Sequence, residues 1–249
     1  LTRSNIKTNT LRRKIACMKV FYNYLKYQNI IEENPFNQLR FQFRTEKILP
    51  KTIPYDILKS IFIYLEQKVI VSKTDYQKQH AERNLLIISL LLSTGIRISE
   101  LCHIHLKDIN LSNKTLHIIG KGKKERILFL GDQKTFNLLE TYINKTRNES
   151  NDFLFPGKYS LKPLSEQSVR LAIKRIVEQN NFSRTITPHM FRHSFATMLL
   201  DSDVDIRYIQ QILGHSSISI TQIYTHVSHS KQKEILSSFN PVSAIHSEI

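Results

Sequence analysis

The sequence predicts a mainly α-helical protein with one small antiparallel β-sheet, which places it in the α+β class. Apolar residues recur at helical spacing over most of the chain, whereas residues 114–131 form two short apolar runs around a glycine-rich turn. The chain has 249 residues, 41% of them hydrophobic, which is enough to bury the core of one large domain or of two smaller ones.

The first predicted helix covers residues 9–28 and has two distinct faces. Its apolar stripe consists of Leu11, Ile15, Met18, Tyr22 and Leu25. Arg12, Lys19 and Lys26 recur every seven residues and share a different face. In an isolated helix such a face is ordinarily a solvated surface, but the strongly basic chain favours a face that follows a DNA backbone. Asn34-Pro35 predicts a turn after this helical region.

The segment 41–54 shows no sustained period and contains Pro50 and Pro54, so it predicts a linker between two domains. Further helical patterns follow at about 55–68, 79–93, 134–146, 165–179, 190–201, 203–213 and 219–228. Gly95 follows the second of these patterns and suits a helix end. The tail 241–249 shows no recognisable pattern.

The segment 114–131 predicts a β-hairpin whose tip carries positive charge. Leu116, Ile118 and Ile119 precede the turn Gly120-Lys121-Gly122-Lys123-Lys124, and Ile127 and Phe129 follow it. Glycines at the tip let a phosphate approach the backbone and let Lys121 reach it, although a plain exposed turn explains the same residues.

The charge of the chain predicts a polyanionic partner. Lys and Arg number 36 against 21 Asp and Glu, which gives a net charge of +15 and a pI near 9.8. The longest apolar run, Leu85–Leu92, is interrupted by Ser89 and is far shorter than the roughly 20 residues that a membrane-spanning helix needs. Nucleic acid is therefore favoured over a membrane.

The two cysteines, Cys17 and Cys102, are too few for a disulfide framework or a four-thiolate zinc site. No secretory leader opens the chain, so a cytoplasmic, nucleoid-associated protein is expected. Because the chain begins at Leu1 rather than methionine, we also expect that an amino-terminal portion precedes it.

Two local clusters carry cations and proton carriers. Arg97 and Glu100 lie three residues apart, so on a helix they face the same way and pair, which by itself is an ordinary salt bridge. His189 and Arg192 share a helical face behind Pro188. A zinc helix is not expected there, because Met190 occupies the place where that motif carries a glutamate.

A third cluster is Leu213-Gly214-His215-Ser216, and Tyr224 follows His215 by nine residues. A single tyrosine at helical spacing is usually a core residue. Taken with the arginines, lysine and histidines, however, it completes the set that a metal-free phosphodiester displacement needs. The cations neutralise the phosphate oxygens, a proton donor serves the leaving oxygen, and a hydroxyl is activated as nucleophile.

Four segments of the chain together resemble the tyrosine recombinase (phage integrase) family, and most closely its Xer-type branch. They are TGIRISEL (94–101), IIGKGKKERILFLG (118–131), TPHMFRHSFAT (187–197) and LGHSSISITQIYTHV (213–227). They follow one another in the family's order and close to its spacing, and the combination is far more specific than any one of them.

The resemblance implies a function for each site residue. Arg97 and Arg192 would bind the scissile phosphate, and His215 would hydrogen-bond to it. Tyr224 would attack the phosphorus, giving a 3′-phosphotyrosyl link that stores the bond energy, so that rejoining needs neither ATP nor a metal.

Three more residues complete the site that the family pattern implies. Lys121 would protonate the departing 5′ oxygen, and His189 would move the proton of the tyrosine. Glu100 would orient the catalytic residues without contacting the reacting atoms. No cofactor is expected, and Lys123 and Lys124 join the basic face of the first helix as candidate contacts to DNA.

The resemblance also implies a division of the chain. Residues 1–45 would form part of a helical core-binding domain, 46–54 a linker, and 55–228 the catalytic domain with the tyrosine recombinase fold. The segment 229–249 would be a carboxy-terminal helix and tail, exchanged between subunits through Ile235 and Leu236. Double-stranded DNA would be bound by a homo-tetramer, or by a hetero-tetramer with a second recombinase, with an accessory activator as a further partner.

Two other functions stay open on the sequence. A type IB topoisomerase-like enzyme shares the same catalytic residue types, although the GKGKKER hairpin and the LGH segment argue against it. A non-catalytic DNA-binding accessory protein would explain the charge but not Tyr224. Within the leading interpretation, chromosome dimer resolution and mobile-element integration or excision are both compatible with the residues.

Overall fold

The computed structural model of the chain describes residues 8–39, 51–120, 125–146, 152–157, 162–214 and 229–248. The chain divides into two compact units, Leu1–Leu49 and Pro50–Ile249.

The described part of the second unit is mainly helical. Its helices are α2 (Tyr55–Ile70), α3 (Asp75–Thr94), α4 (Ile98–Cys102), α5 (Gln133–Thr146), α6 (Glu166–Gln179), α7 (Pro188–Asp201), α8 (Ile206–Leu213), α9 (His229–Ser238) and α10 (Pro241–His246). Its strands are β1 (Ile109–Asn110), β2 (Thr115–Ile119) and β3 (Glu125–Phe129). The prediction of a mainly helical protein with one small antiparallel sheet is confirmed.

The first unit contains α1 (Thr8–Tyr27), which follows the predicted apolar stripe. Ile15 is buried, whereas Met18 on the same stripe is exposed. After the helix, the side-chain amide of the buried Asn34 donates to the carbonyl of Lys19 and to Oδ1 of Asn23. The predicted turn at Asn34-Pro35 is therefore fastened to the helix by a buried polar side chain.

Helix α3 forms the centre of the second unit. It packs against α2, α5, α7 and α10, and its carboxy-terminal half is buried on all sides. That half of the helix has no solvated face, which is why the apolar run Leu85–Leu92 corresponds to a core helix. At its amino end the side chain of Thr74 accepts a hydrogen bond from the Gln77 backbone N–H, which fixes the start of the helix.

The three strands form one antiparallel sheet in the order β1-β2-β3. In the β2–β3 hairpin Leu116 pairs with Leu128 and Ile118 pairs with Arg126. Leu116, Ile118 and Leu128 are all buried, so Arg126 lies on the core-facing side of the sheet.

The carboxy-terminal helices pack on the same chain. Ile235 and Leu236 of α9 are buried, and α9 lies against β3. Helix α10 occupies a stretch of the tail for which the sequence showed no recognisable pattern. The local reason is that the Asn240 side chain caps the Val242 backbone N–H, and Pro241 takes the first helical position.

Two short elements of the second unit, α4 and β1, were also not predicted, because neither is long enough to show a period. The predicted helix at 219–228 lies outside the described residues. Among the helices that the structure describes, none is long and apolar enough to span a membrane.

Candidate active site

The site is built where α3 ends and α4 begins. Gly95 closes α3 in the left-handed conformation with φ of 61°. A Cβ at this position would lie 2.5 Å from Cδ1 of Phe195, so neither the backbone nor the packing admits a side chain. This turn delivers Arg97 to the start of α4, where its side chain remains about one-third exposed.

Glu100 lies behind Arg97 and is held by two arginines. Its buried carboxylate accepts hydrogen bonds from the Arg97 backbone N–H (3.0 Å) and from Nη1 of Arg97 (2.9 Å). Arg126 of β3 donates two parallel bonds to the same carboxylate, at 3.0 and 2.7 Å. Burial alone raises the pKa of Glu100, but the bonds and charges of Arg126 and Arg97 outweigh it and lower this pKa to about 2.

Arg192 on α7 joins two turns of the site. This arginine is buried, and it donates to the carbonyl of Gly95 (2.6 Å) and to the carbonyl of Leu213 (2.7 Å). Desolvation, together with the charges of Arg97 and Arg126, lowers the pKa of Arg192 to about 10. Since a guanidinium has five N–H donors, others remain for a ligand.

Gly214 ends α8 in the left-handed conformation with φ of 65°. A Cβ there would meet Cδ of Arg126 at 3.1 Å, so the turn leading to His215 lies directly over the Arg126 side chain. Arg126 therefore contacts both the turn before His215 and the carboxylate behind Arg97.

His189 lies on α7 one turn before Arg192, and its side chain is exposed. The neighbouring imidazole of His193 is exposed too, and its pKa is lowered by partial burial, then by His189 and Arg192. The structure thus brings His189 into the electrostatic surroundings of the arginine cluster.

Five of the predicted site residues lie outside the described residues: Lys121, Lys123, Lys124, His215 and Tyr224. The structure does place the chain on either side of them, at the ends of β2 and β3 and at Gly214. Arg12, Lys19 and Lys26 lie on α1 in the first unit, with Lys19 half-buried and the other two exposed.

Sequence reasoning missed Arg126. The sequence pattern that could have found it is the alternation of inward and outward side chains along a strand. Arg126 is two positions before the buried Leu128, so both side chains lie on the same face of the sheet. An arginine on the core-facing side of a strand requires a buried anion, and Glu100 is that anion.

The described cluster can hold an anion. The guanidinium groups of Arg97 and Arg126 bond the carboxylate of Glu100, and the charges of all three groups act on the pKa of the buried Arg192, so the four groups together carry a formal charge of +2. In the part of the chain that the structure describes, no group of His, Cys, Asp or Glu side chains is arranged to hold a metal ion. The fold and cluster define a mainly helical protein with a cationic site for an oxyanion such as a phosphate.

Comparison with known proteins gives the family. Residues 64–231 match the phage integrase family. The chain is 50% identical over 243 residues to a tyrosine recombinase of Agathobacter rectalis, an alignment that covers 96% of this chain and 79% of the relative. It is 34% identical over 243 residues to the tyrosine recombinase XerC of Bacillus subtilis, covering 95% and 76% of the two chains. The chain belongs to the phage integrase family, as a Xer-like tyrosine recombinase.

Solved structures share the fold. The XerH site-specific recombinase in a post-cleavage complex with a palindromic difH substrate aligns at a TM-score of 0.68 and 24% identity, covering 96% of this chain and 67% of that one. The integrase of mycobacterium phage Brujita aligns at a TM-score of 0.56 and 21% identity, covering 96% and 74%.

The prediction of a site-specific recombinase that breaks and rejoins DNA strands is confirmed by family membership and by the identity to named tyrosine recombinases. These comparisons do not favour the topoisomerase-like enzyme or the non-catalytic accessory protein.

Proposed function

We propose that the arginine cluster binds the scissile phosphate of a DNA strand. The observation that carries the proposal is the crowding of Arg97, Arg126 and Arg192 around the one buried carboxylate of Glu100. A phosphodiester would relieve this excess positive charge, and it gains negative charge as a nucleophile attacks. Arg97 and Arg192 would bind its non-bridging oxygens, with His215 as a further donor.

In the same proposal, Tyr224 attacks the phosphorus and the bond to the 5′ oxygen breaks. The tyrosine proton passes to His189, and Lys121 gives a proton to the departing oxygen, so the products are a 3′-phosphotyrosyl link and a free 5′ hydroxyl. Rejoining reverses these steps with the 5′ hydroxyl of another strand as nucleophile. Each step breaks one phosphoester bond and forms another, so the exchange consumes no ATP.

Double-stranded DNA would be the partner of both units, with Arg12, Lys19 and Lys26 of α1 and the hairpin lysines as contacts to its phosphates. Four subunits would assemble on two duplexes and exchange the carboxy-terminal segment 229–249, and such a protein would work in the cytoplasm on the nucleoid. The net charge of +15 supports the DNA partner, and the Xer-like relatives support its use in recombination.

The proton donor can be tested by replacing the bridging 5′ oxygen of the substrate with sulfur, because a thiolate leaves without being protonated. Lys121→Ala is expected to cut oxygen-substrate cleavage by roughly 10²-fold or more, and the sulfur substrate should restore most of that rate. Arg97→Ala should stay slow on both substrates, since its loss is one of phosphate binding.

The control is Lys107→Ala, an exposed lysine in the same unit that should leave both rates unchanged. If the sulfur substrate fails to rescue Lys121→Ala, or rescues Arg97→Ala equally well, the result would contradict the assignment of Lys121 as the proton donor.

A further inference from the structure

A second concave surface of the catalytic unit lies away from the arginine cluster. It is a groove of about 920 Å³ formed by α2, α3, α6 and the segment around Pro156. None of Arg97, Glu100, Arg126, His189 and Arg192 lines it. The chemistry proposed above leaves this groove without a function.

The groove is cationic. Lys68, Arg83 and Arg175 line it together with His80, and the described lining residues include no aspartate or glutamate. In the DNA-binding chain a positive groove is expected to meet an anion, and none of the described residues that line this groove carries a negative charge.

Arg83 is the most constrained of these cations. Its side chain is half-buried, its Nε makes no hydrogen bond within the described residues, and no described carboxylate pairs with it. The neighbouring Oδ1 of Asn84 is also buried without a hydrogen-bond partner in the described part of the chain. Both residues line the groove, and the guanidinium of the half-buried Arg83 is the cation to which a ligand there would present an acceptor.

The rim of the groove is apolar and exposed. Val71, Tyr76 and Leu171 line it and are 64%, 70% and 42% exposed, and Ile70 beside them is 80% exposed. Apolar residues grouped on a surface in this way mark an interaction site. DNA phosphates would pair with the cations but would leave these side chains in water.

We propose that this groove docks a partner protein through a segment that carries carboxylates beside an apolar face, such as an acidic amphipathic helix. A carboxylate of the segment pairs with the guanidinium of Arg83, and the apolar face covers Leu171, Tyr76 and Val71. Charge complementarity and the apolar rim together select a peptide over DNA. The proposal is independent of the phosphate chemistry of the arginine cluster.

The test uses a displayed library of random peptides selected against the whole chain. Enriched peptides are expected to combine Asp or Glu with Leu, Ile or Phe at helical spacing. Their affinity, measured by fluorescence anisotropy, should fall roughly tenfold or more in Arg83→Gln and in Leu171→Glu. Leu171→Glu changes an exposed position, so it reports on the groove even if Arg83→Gln is poorly folded.

The matched control is Arg207→Gln, which removes an arginine paired with Asp205 on α8 and should leave peptide affinity unchanged. A library that yields no enriched peptide, or peptides that bind Leu171→Glu as well as the parent chain, overturns the proposal.

A duplex-binding measurement provides the second arm. Leu171→Glu and Arg83→Gln should keep duplex affinity within about twofold of Arg207→Gln under the same salt. A loss of duplex affinity in Arg83→Gln that equals the loss of peptide affinity assigns the groove to DNA and overturns the proposal.

Discussion

Glu100 determines the geometry of the site at the scale of single residues. Its carboxylate is buried, keeps its charge because Arg126 and Arg97 donate to it, and in turn orients the partly exposed guanidinium of Arg97. Removing one member of a buried ion pair leaves an uncompensated charge, which costs far more than the pair itself contributes.

Arg126→Met is expected to lower the free energy of unfolding by about 3 kcal/mol and to slow DNA cleavage, because the buried Glu100 loses two of its four hydrogen bonds and is left with those of Arg97 alone. Urea unfolding measures the first effect and the rate of covalent adduct formation the second. The double variant Arg126→Met/Glu100→Met should regain part of the lost stability.

A matched comparison is Arg170→Met, which breaks an exposed pair with Glu166 and should cost less than about 1 kcal/mol. Equal losses in Arg126→Met and Arg170→Met would contradict the central position given to Glu100.

Gly95→Ala is expected to destabilise the chain more than Gly214→Ala, although both glycines are left-handed. At Gly95 the added methyl meets the ring of Phe195 at 2.5 Å, whereas at Gly214 it meets the flexible Arg126 side chain at 3.1 Å. Chemical unfolding of the two variants provides the measurement. Equal losses would show that backbone strain, which the two positions share, dominates over packing at these turns.

The residue types of the site could be predicted from the sequence to different degrees. The spacing of Arg97 and Glu100 predicted their pairing, and the structure shows that pair. Arg126 and the carbonyls that Arg192 binds depend on strand register and on contacts between distant segments, which local spacing does not contain.

At the scale of elements, the long helices and the hairpin were predictable because each carries a period over several turns or strand residues. The short α4, β1 and α10 were not, since tertiary contacts hold them. Helix α10 is fastened to the start of α5: Ser243 donates to Asp132 at 2.7 Å, and Nδ1 of His246 lies 3.2 Å from the other Asp132 oxygen.

Stability should fall in acid because of this contact. Burial raises the pKa of Asp132, but the adjacent imidazole of His246 and the bonds from Ser243 and Thr135 outweigh it and lower the pKa to about 2, below the ordinary 3.8. A depressed carboxyl pKa stabilises the fold above about pH 4, and this contribution, about 2 kcal/mol, is lost as the pH falls towards 2.

Asp132→Asn tests this assignment. The variant should be less stable than the parent chain at pH 7 and should lose less stability between pH 5 and pH 2 when unfolding is followed in urea. A parent and a variant with the same dependence on pH would contradict it.

At the scale of the whole molecule, positive charge is distributed over both units, from α1 to the arginine cluster. Binding to duplex DNA should release counterions. For six or more phosphate contacts the affinity should fall roughly 10³-fold or more between about 50 and 200 mM salt. A nearly flat salt response in a filter-binding or anisotropy titration would contradict an extended DNA footprint.

The carboxy-terminal segment allows a test of subunit exchange. In the single chain Ser243 of α10 contacts Asp132, so the pair Ser243→Cys/Asp132→Cys, in a chain with Cys17 and Cys102 replaced by Ser, should be joined within one chain by a short thiol cross-linker. On synapsed DNA we expect the same cross-link to join neighbouring subunits. Synapsis with intrachain cross-links alone would contradict the exchange.

We propose that Tyr224 becomes linked to a DNA 3′ phosphate, and covalent capture tests this step. A pool of nicked duplexes with randomised sites is incubated with the chain in EDTA, then denatured, and the protein-bound DNA is recovered and its attachment mapped by mass spectrometry. We expect a 3′-phosphotyrosyl adduct on Tyr224 that is absent in Tyr224→Phe. An adduct that persists in Tyr224→Phe, or one attached through a 5′ phosphate, would contradict it.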